Sequence, residues 1–263
     1  MGISVLFVFI ASTATVFWGP GANGSGVAEL MGYLNGINYP GLFGFETYVT
    51  KVFGVVLAVC GGLCVGKEEP LAHIGAIVGI VTAYLPLPRH EFLQNDTFKR
   101  RLISAGTSAG VSCAFGAPIG GTLFAYEISK PNNFWKFSVL WKVFFTCAIA
   151  VFSLAIFGDL MDGDKAYAVT SSTLKFGYVD IAPPTLLTLP GAIMCGCICG
   201  CLGALFIFVN SNLAWWRKHN ITKPWVKVAE ALFFSALTTS FFFWMPKITD
   251  QQCQDASIVS PEN

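Results

Sequence analysis

Charge is what this sequence has least of. Only 12% of its 263 residues are Asp, Glu, Lys or Arg, while 54% belong to the hydrophobic class; soluble domains carry about 25% charged residues. A water-soluble fold of this length needs a charged surface that the chain does not supply, so composition points to the membrane class. The net charge is +1 and there is no basic stripe, so no nucleic-acid partner is expected. Histidine is scarce as well, with three in the whole chain. Glu68, Glu69 and His73 lie close together, but His90 and His219 fall in stretches that read as polar loops, and there is no HExxH-type pair. Neither an enzyme, nor a metal site, nor any other cofactor is expected.

Two further absences narrow the reading. The stretch Met1 to Trp18 has no positive n-region and no convincing small-residue cleavage site, so it reads as a membrane helix and not as a removable signal. Most of the nine cysteines lie inside apolar runs, where they act as small hydrophobes rather than disulfide partners. Cys195, Cys197, Cys199 and Cys201 fall in pairs on separate faces of one helix, which suits helix packing better than a metal.

The apolar segments themselves mostly lack the length of a simple span. They run Gly2 to Trp18, Val52 to Val65, Ile74 to Leu87, Leu102 to Phe115, Gly120 to Ile128, Val143 to Phe157, Leu186 to Val209 and Val228 to Met245. A helix needs about 20 residues to cross a hydrocarbon core of roughly 30 Å, so a shorter one must stop inside protein or beside a polar cavity. Interrupted spans of this kind are the usual pointer to an ion site. The breaks are Gly19 to Gly26, Gly66 to Pro70 and Gly116 to Gly121, where glycine and proline end one helix and permit another. Small residues at Gly61-Gly62, Ser104 to Gly110 and Gly196 to Gly203 suit close helix packing.

Orientation follows from the basic residues. Lys99, Arg100 and Arg101 share one expected loop, and Arg217, Lys218, Lys223 and Lys227 surround another, so both belong on the cytoplasmic side. The acidic stretch Gly158 to Asp180 belongs on the other.

The break Gly66-Lys67-Glu68-Glu69-Pro70, followed by His73, sets ionisable groups between apolar stretches, where they are expensive and functional by default. Pro70 fits the first position of a new helix, which sets Glu68 and Glu69 beside unpaired N–H groups and a positive dipole end. A carboxylate there occupies the place of a free anion, so a Glu68 that swings away or takes a proton is a removable plug. Pairing of Lys67 with the glutamates at an interface is the alternative. In Gly24-Ser25-Gly26 the glycines let backbone amides approach an ion and the Ser25 hydroxyl can donate to it; a turn with an N-cap is the alternative there.

Gly24-Ser25-Gly26-Val27-Ala28-Glu29 resembles the GSGIP element of CLC chloride channels and transporters, Gly66 to Pro70 resembles their GKEGP or GREGP element, and His73 follows as in many eukaryotic members. Ser104 to Glu127, which includes Gly116 and Pro118, is similar to their GVSAAFGAPVGGVLFSLEE run. The resemblance extends from about Phe9 to about Cys253, and Phe134-Trp135 and the Arg217 to Glu230 region are similar to the endosomal and lysosomal branch. It implies an all-α integral membrane fold of broken and re-entrant helices, one half of an inverted-repeat CLC fold without its earliest helix. It further implies chloride as the transported ion, Ser25 as a ligand of the central anion, Glu68 as the gate, and a homodimer in the bilayer. An endosomal, lysosomal or vacuolar membrane is implied, with the plasma membrane as the alternative.

The departures shape the expected activity. Ala28 replaces a motif proline and Glu69 replaces the glycine after the gate. Exchangers of the family carry an adjacent acidic pair whose second member relays protons; Glu127 matches the first member, but Ile128 stands at the second. The expectation is a passive, gated chloride conductance. A chloride/proton exchanger and a non-conducting membrane subunit are the alternatives, the latter because the GxFxP element, the later tyrosine and the CBS domains have no match. Residues 1–247 read as one membrane domain and 248–263 as a tail or truncated loop.

Overall fold

The computed structural model describes residues 2–85, 95–129, 137–162 and 188–248, and among them there is helix and connecting turn but no strand. The helices are α1 (Gly2–Thr13), α2 (Val27–Leu34), α3 (Phe45–Cys60), α4 (Glu68–Thr82), α5 (Asp96–Phe115), α6 (Pro118–Ser129), α7 (Phe137–Asp162), α8 (Leu189–Asn220) and α9 (Pro224–Ile248). Phe137–Gly158, Leu189–Asn220 and Pro224–Met245 are long and apolar enough to cross a membrane. The remaining helices are shorter or interrupted, as the glycine and proline breaks predict.

The three breaks have distinct geometry. After α1 the chain loosens into a π-helical turn, Ala14–Trp18, and then a 3₁₀ turn, Pro20–Ala22. The second break opens earlier than the expected Gly66: α3 ends at Gly61 and Gly62, the second with φ 79°, and α4 begins within the expected stretch, at Glu68. α5 ends at Gly116 in the left-handed region, with φ 62°, and the amide of Ala117 donates to the Ser112 carbonyl at 3.1 Å. Glycine reaches that conformation without a Cβ penalty, and Pro118 then opens α6, where its missing N–H costs nothing.

Three expectations about where helices begin and end need correction. α4 begins at Glu68, with Lys67 as its N-cap, so Pro70 is the third helical residue and not the first. The physical cost is the same, because the first four N–H groups of a helix have no intrahelical partner. The basic run Lys99 to Arg101 lies inside α5 and not in a loop. Asn95 caps that helix by accepting from the Thr97 amide at 3.0 Å, which starts it ahead of the basic residues. His219, likewise, belongs to the last turn of α8.

The chain divides into two compact units, Met1–Val151 with Val228–Asn263, and Phe152–Lys227. In the first, α2, α4, α5 and α6 meet around Leu30, Leu34, Ala76, Ile80, Ile103 and Ile128. α4 and α5 cross with almost nothing between their backbones: a Cβ on Gly75 would overlap the Gly106 carbonyl, one on Gly106 the Gly75 carbonyl, and one on Gly110 the Leu71 carbonyl. Such crossings rest on van der Waals and Cα–H···O contact, which small residues permit. Gly61 is equally tight, against Val8 and the Ser4 carbonyl, and its own carbonyl accepts from Ser235 Oγ of α9 at 3.1 Å.

In the second unit no residue of α8 is buried. A Cβ added to Gly196, Gly200 or Gly203 would meet nothing within 4 Å, and Cys195, Cys197, Cys199 and Cys201 are exposed free thiols. The packing expected at Gly196 to Gly203 is therefore not found among the described residues. With Ile193, Phe206, Ile207 and Phe208 on its surface, α8 suits an apolar solvent.

Candidate functional site

The loop before α2 is built to present its backbone. Gly24 and Gly26 both have left-handed φ, 71° and 86°, on either side of Ser25. Gly26 is the N-cap of α2, and its carbonyl accepts from the Leu30 amide at 3.0 Å. Ser25 Oγ accepts from the amide of Val27 at 3.3 Å. Its own O–H has no acceptor among the described residues, so the hydroxyl hydrogen is available to a ligand. Alternating conformations of this kind, at the positive end of a helix, form a concavity suited to an anion. Ala28, where the motif has proline, does not prevent α2 from forming over Val27–Leu34.

α3 holds this loop from below through one helical face. Thr47 Oγ1 donates to the Gly41 carbonyl at 2.7 Å and packs on Gly21, and Thr50 packs on Gly19. Lys51 is 4% exposed, and its Nζ donates to the carbonyls of Ala22 at 3.0 Å and Gly24 at 2.7 Å. The carboxylates acting on it are Glu29 and Glu69. Sequence reasoning passed over Lys51 by starting the apolar segment at Val52, although a lone lysine at such a position is itself a functional signal.

α4 brings the carboxylates and the imidazole. Glu68 and Glu69 occupy its first turn, where the dipole favours negative charge. Glu68 is half-buried and its carboxylate folds back over Gly66, whereas Glu69 is exposed. Neither pairs with Lys67 among the described residues, so the interface ion pair is not formed; Glu69 acts on Lys51 instead. His73, five residues further and about 7.5 Å along the axis, is fully buried, with Nε2 2.9 Å from the Leu42 carbonyl and its ring against Gly26.

The remaining sequence candidates sit on α6. Glu127 is exposed, while Ile128 is 5% exposed inside the apolar cluster with Leu30, Leu34 and Ile103. The structure thus brings His73 of α4 to the Gly24–Gly26 loop and adds Lys51, and it leaves Glu127 on the surface. Phe134 and Trp135 lie outside the described residues. Among the described residues no group of His, Cys, Asp and Glu is arranged to hold a metal.

Interrupted apolar helices, a glycine loop at a helix N-terminus and, among the described residues, one buried cation define the class: an all-α integral membrane protein. The comparisons with known proteins give the family. The family described as "Voltage gated chloride channel" matches residues 7–258. Among curated relatives, chloride channel protein C of Dictyostelium discoideum is 34% identical over 98% of this chain and 35% of its own length. H(+)/Cl(-) exchange transporter 7 of Homo sapiens is 35% identical over 92% of this chain and 31% of its own. Chloride channel protein CLC-d of Arabidopsis thaliana is 34% identical over 93% and 32%. A solved structure, the crystal structure of a eukaryotic CLC transporter, matches the fold with a TM-score of 0.67 over 89% of this chain and 40% of that one, at 24% identity. The chain belongs to the voltage-gated chloride channel family, and it spans about a third of the length of the curated relatives it matches.

Proposed function

We propose that this chain contributes to a passive, gated chloride pathway, with the ion held at the Gly24–Gly26 loop and Glu68 as the gate. The observation that carries the proposal is Ser25, flanked by two left-handed glycines at the start of α2 with its hydroxyl hydrogen uncommitted. Backbone amides, a hydroxyl donor and the Lys51 ammonium behind the loop supply the positive field that a monovalent anion needs without a metal. A carboxylate at the start of α4 competes with the anion for the same kind of site, so its displacement or protonation opens the path. Passive flow follows from Ile128, which cannot carry a proton.

The test is chloride efflux from liposomes holding the full-length protein. Glu68→Ala is expected to remove the voltage and pH dependence of that flux, and unchanged dependence rejects the gate assignment. A second reading, chloride/proton exchange, is favoured by the name of the human relative, an H(+)/Cl(-) exchange transporter. Proton uptake driven by a chloride gradient in fixed ratio establishes exchange and overturns the inference from Ile128. The bilayer and a second copy of the chain are the proposed partners. Similarity to the endosomal and lysosomal branch makes an internal membrane the proposed location, which a fluorescent fusion tests.

A further inference from the structure

We propose that His73 is a positioning residue for the anion loop: its imidazole packs against Gly26 in the space a side chain there would need, and so supports the backbone that presents Ser25. This inference rests on the reading of Gly24–Gly26 as the chloride site.

The imidazole is held on one side and bare on the other. Nε2 lies 2.9 Å from the Leu42 carbonyl, which accepts only, so Nε2 carries the proton and Nδ1 the lone pair. Among the described residues Nδ1 is buried without a partner, and it is the atom that a Cβ on Gly26 would strike first, followed by Cγ and Cε1. An orphaned buried nitrogen is costly, and a ring chosen only to fill space has apolar alternatives of similar size. The charged groups acting on the ring are Lys51 from α3 and Glu29 from α2, both of which border the loop.

The support behind the ring is rigid. His73 lies on α4 between Ala72 and Ala76, which are 1% and 0% exposed, and α4 is pressed backbone to backbone on α5 at Gly75, Gly79 and Gly106. The loop has no comparable stiffness of its own, because two of its three residues are glycine. At Gly26 it is this ring through which α4 meets the loop, beside the Leu30 and Leu34 contacts of α2 with α4 and the hydrogen bonds from Lys51. A site residue held by a locked neighbour on a regular element keeps its geometry better than a loop can by itself.

The experiment follows thermal unfolding of the full chain in detergent, in chloride-free gluconate and across a chloride titration. Wild type, Gly26→Ala, His73→Ala, the double variant, His73→Leu and His73→Gln are compared. His73→Gln can still donate to Leu42 and is expected to keep the chloride half-point within about twofold. His73→Leu is expected to raise it about fivefold, the size of one hydrogen bond to the ion lost. In gluconate, Gly26→Ala is expected to lower the melting temperature, and His73→Ala in the same chain to cost less than it does alone, because the clash is relieved while the strain of alanine at a left-handed φ remains; that shortfall from additivity is the recovery sought. An unchanged half-point in both His73→Leu and His73→Ala, or no recovery in the double variant, overturns the proposal. If wild type shows no chloride-dependent shift, the chloride reading of the loop falls. The gluconate cycle then decides the clamp by itself: recovery supports it and its absence sinks it.

Discussion

Removing the Lys51 ammonium tests the site most directly. In Lys51→Met the side-chain length is nearly kept, but the donors to Ala22 and Gly24 at 3.0 and 2.7 Å are lost. Two terms oppose each other in stability. The Ala22 carbonyl is left buried without its partner, at about 1–3 kcal/mol, while Gly24 is exposed and can turn to water. Against this, an apolar residue escapes the desolvation of a buried cation, which makes such replacements far cheaper than the lost hydrogen bonds alone imply. The net loss is then small, at most about 2 kcal/mol. Chloride binding has no such compensation. For a separation of about 8 Å between ammonium and anion, taken as an order of magnitude, and an effective dielectric of about 20, the Coulomb term is about 2 kcal/mol, or roughly a thirtyfold change in affinity. The assay is the chloride half-point of thermal stabilisation, with liposome efflux as its functional partner. Lys51→Arg keeps the charge and should keep most of the affinity, even though its fork fits the two carbonyls less well. A half-point for Lys51→Met within about twofold of wild type would refute the electrostatic reasoning while leaving the bracing role standing.

Other substitutions probe the scaffold. Gly106→Leu drives a side chain into the Gly75 carbonyl and should cost at least about 2 kcal/mol, seen as a lower melting temperature; an unchanged one means that α4 and α5 do not cross as described. Asn95→Ala removes the cap on α5 and should cost about 1 kcal/mol, measurable in the same melts; no change would mean the cap adds nothing. Ile128→Glu buries a carboxyl among Leu30, Leu34 and Ile103. It is expected to lower stability by at least about 2 kcal/mol at neutral pH, with the loss shrinking as acid protonates the group. A pH-independent loss would indicate a steric fault instead.

Much of the scaffold is legible in short stretches of sequence. Low charge, short apolar runs and glycine-proline punctuation announce a membrane protein with interrupted helices, because those signals are local: composition sets the solvent, and Gly116 with Pro118 can only end one helix and open the next. The same locality explains the small misplacements. Pro70 suits any of the first positions of a helix, so proline chemistry cannot tell position one from position three. Lys99 to Arg101 look like loop residues until Asn95 is seen capping the helix that contains them.

The chemical parts can be read one residue at a time: Ser25 between glycines, Glu68 at a helix start, and Ile128 where a second acid would stand. Which of them meet is a matter of packing in three dimensions. Lys51 is 27 residues beyond the Gly24 carbonyl it binds, and His73 meets both Leu42 and Gly26 across two connections. No periodicity encodes such pairs, because they arise where α3 and α4 close on the loop from different directions. The glycines at 24 and 26 illustrate the difference. Their turn is legible locally, and the left-handed φ of residue 26 already disfavours a side chain, but the space such a side chain would need is filled by an imidazole 47 residues away in sequence, whose place is set by the crossing of α4 and α5.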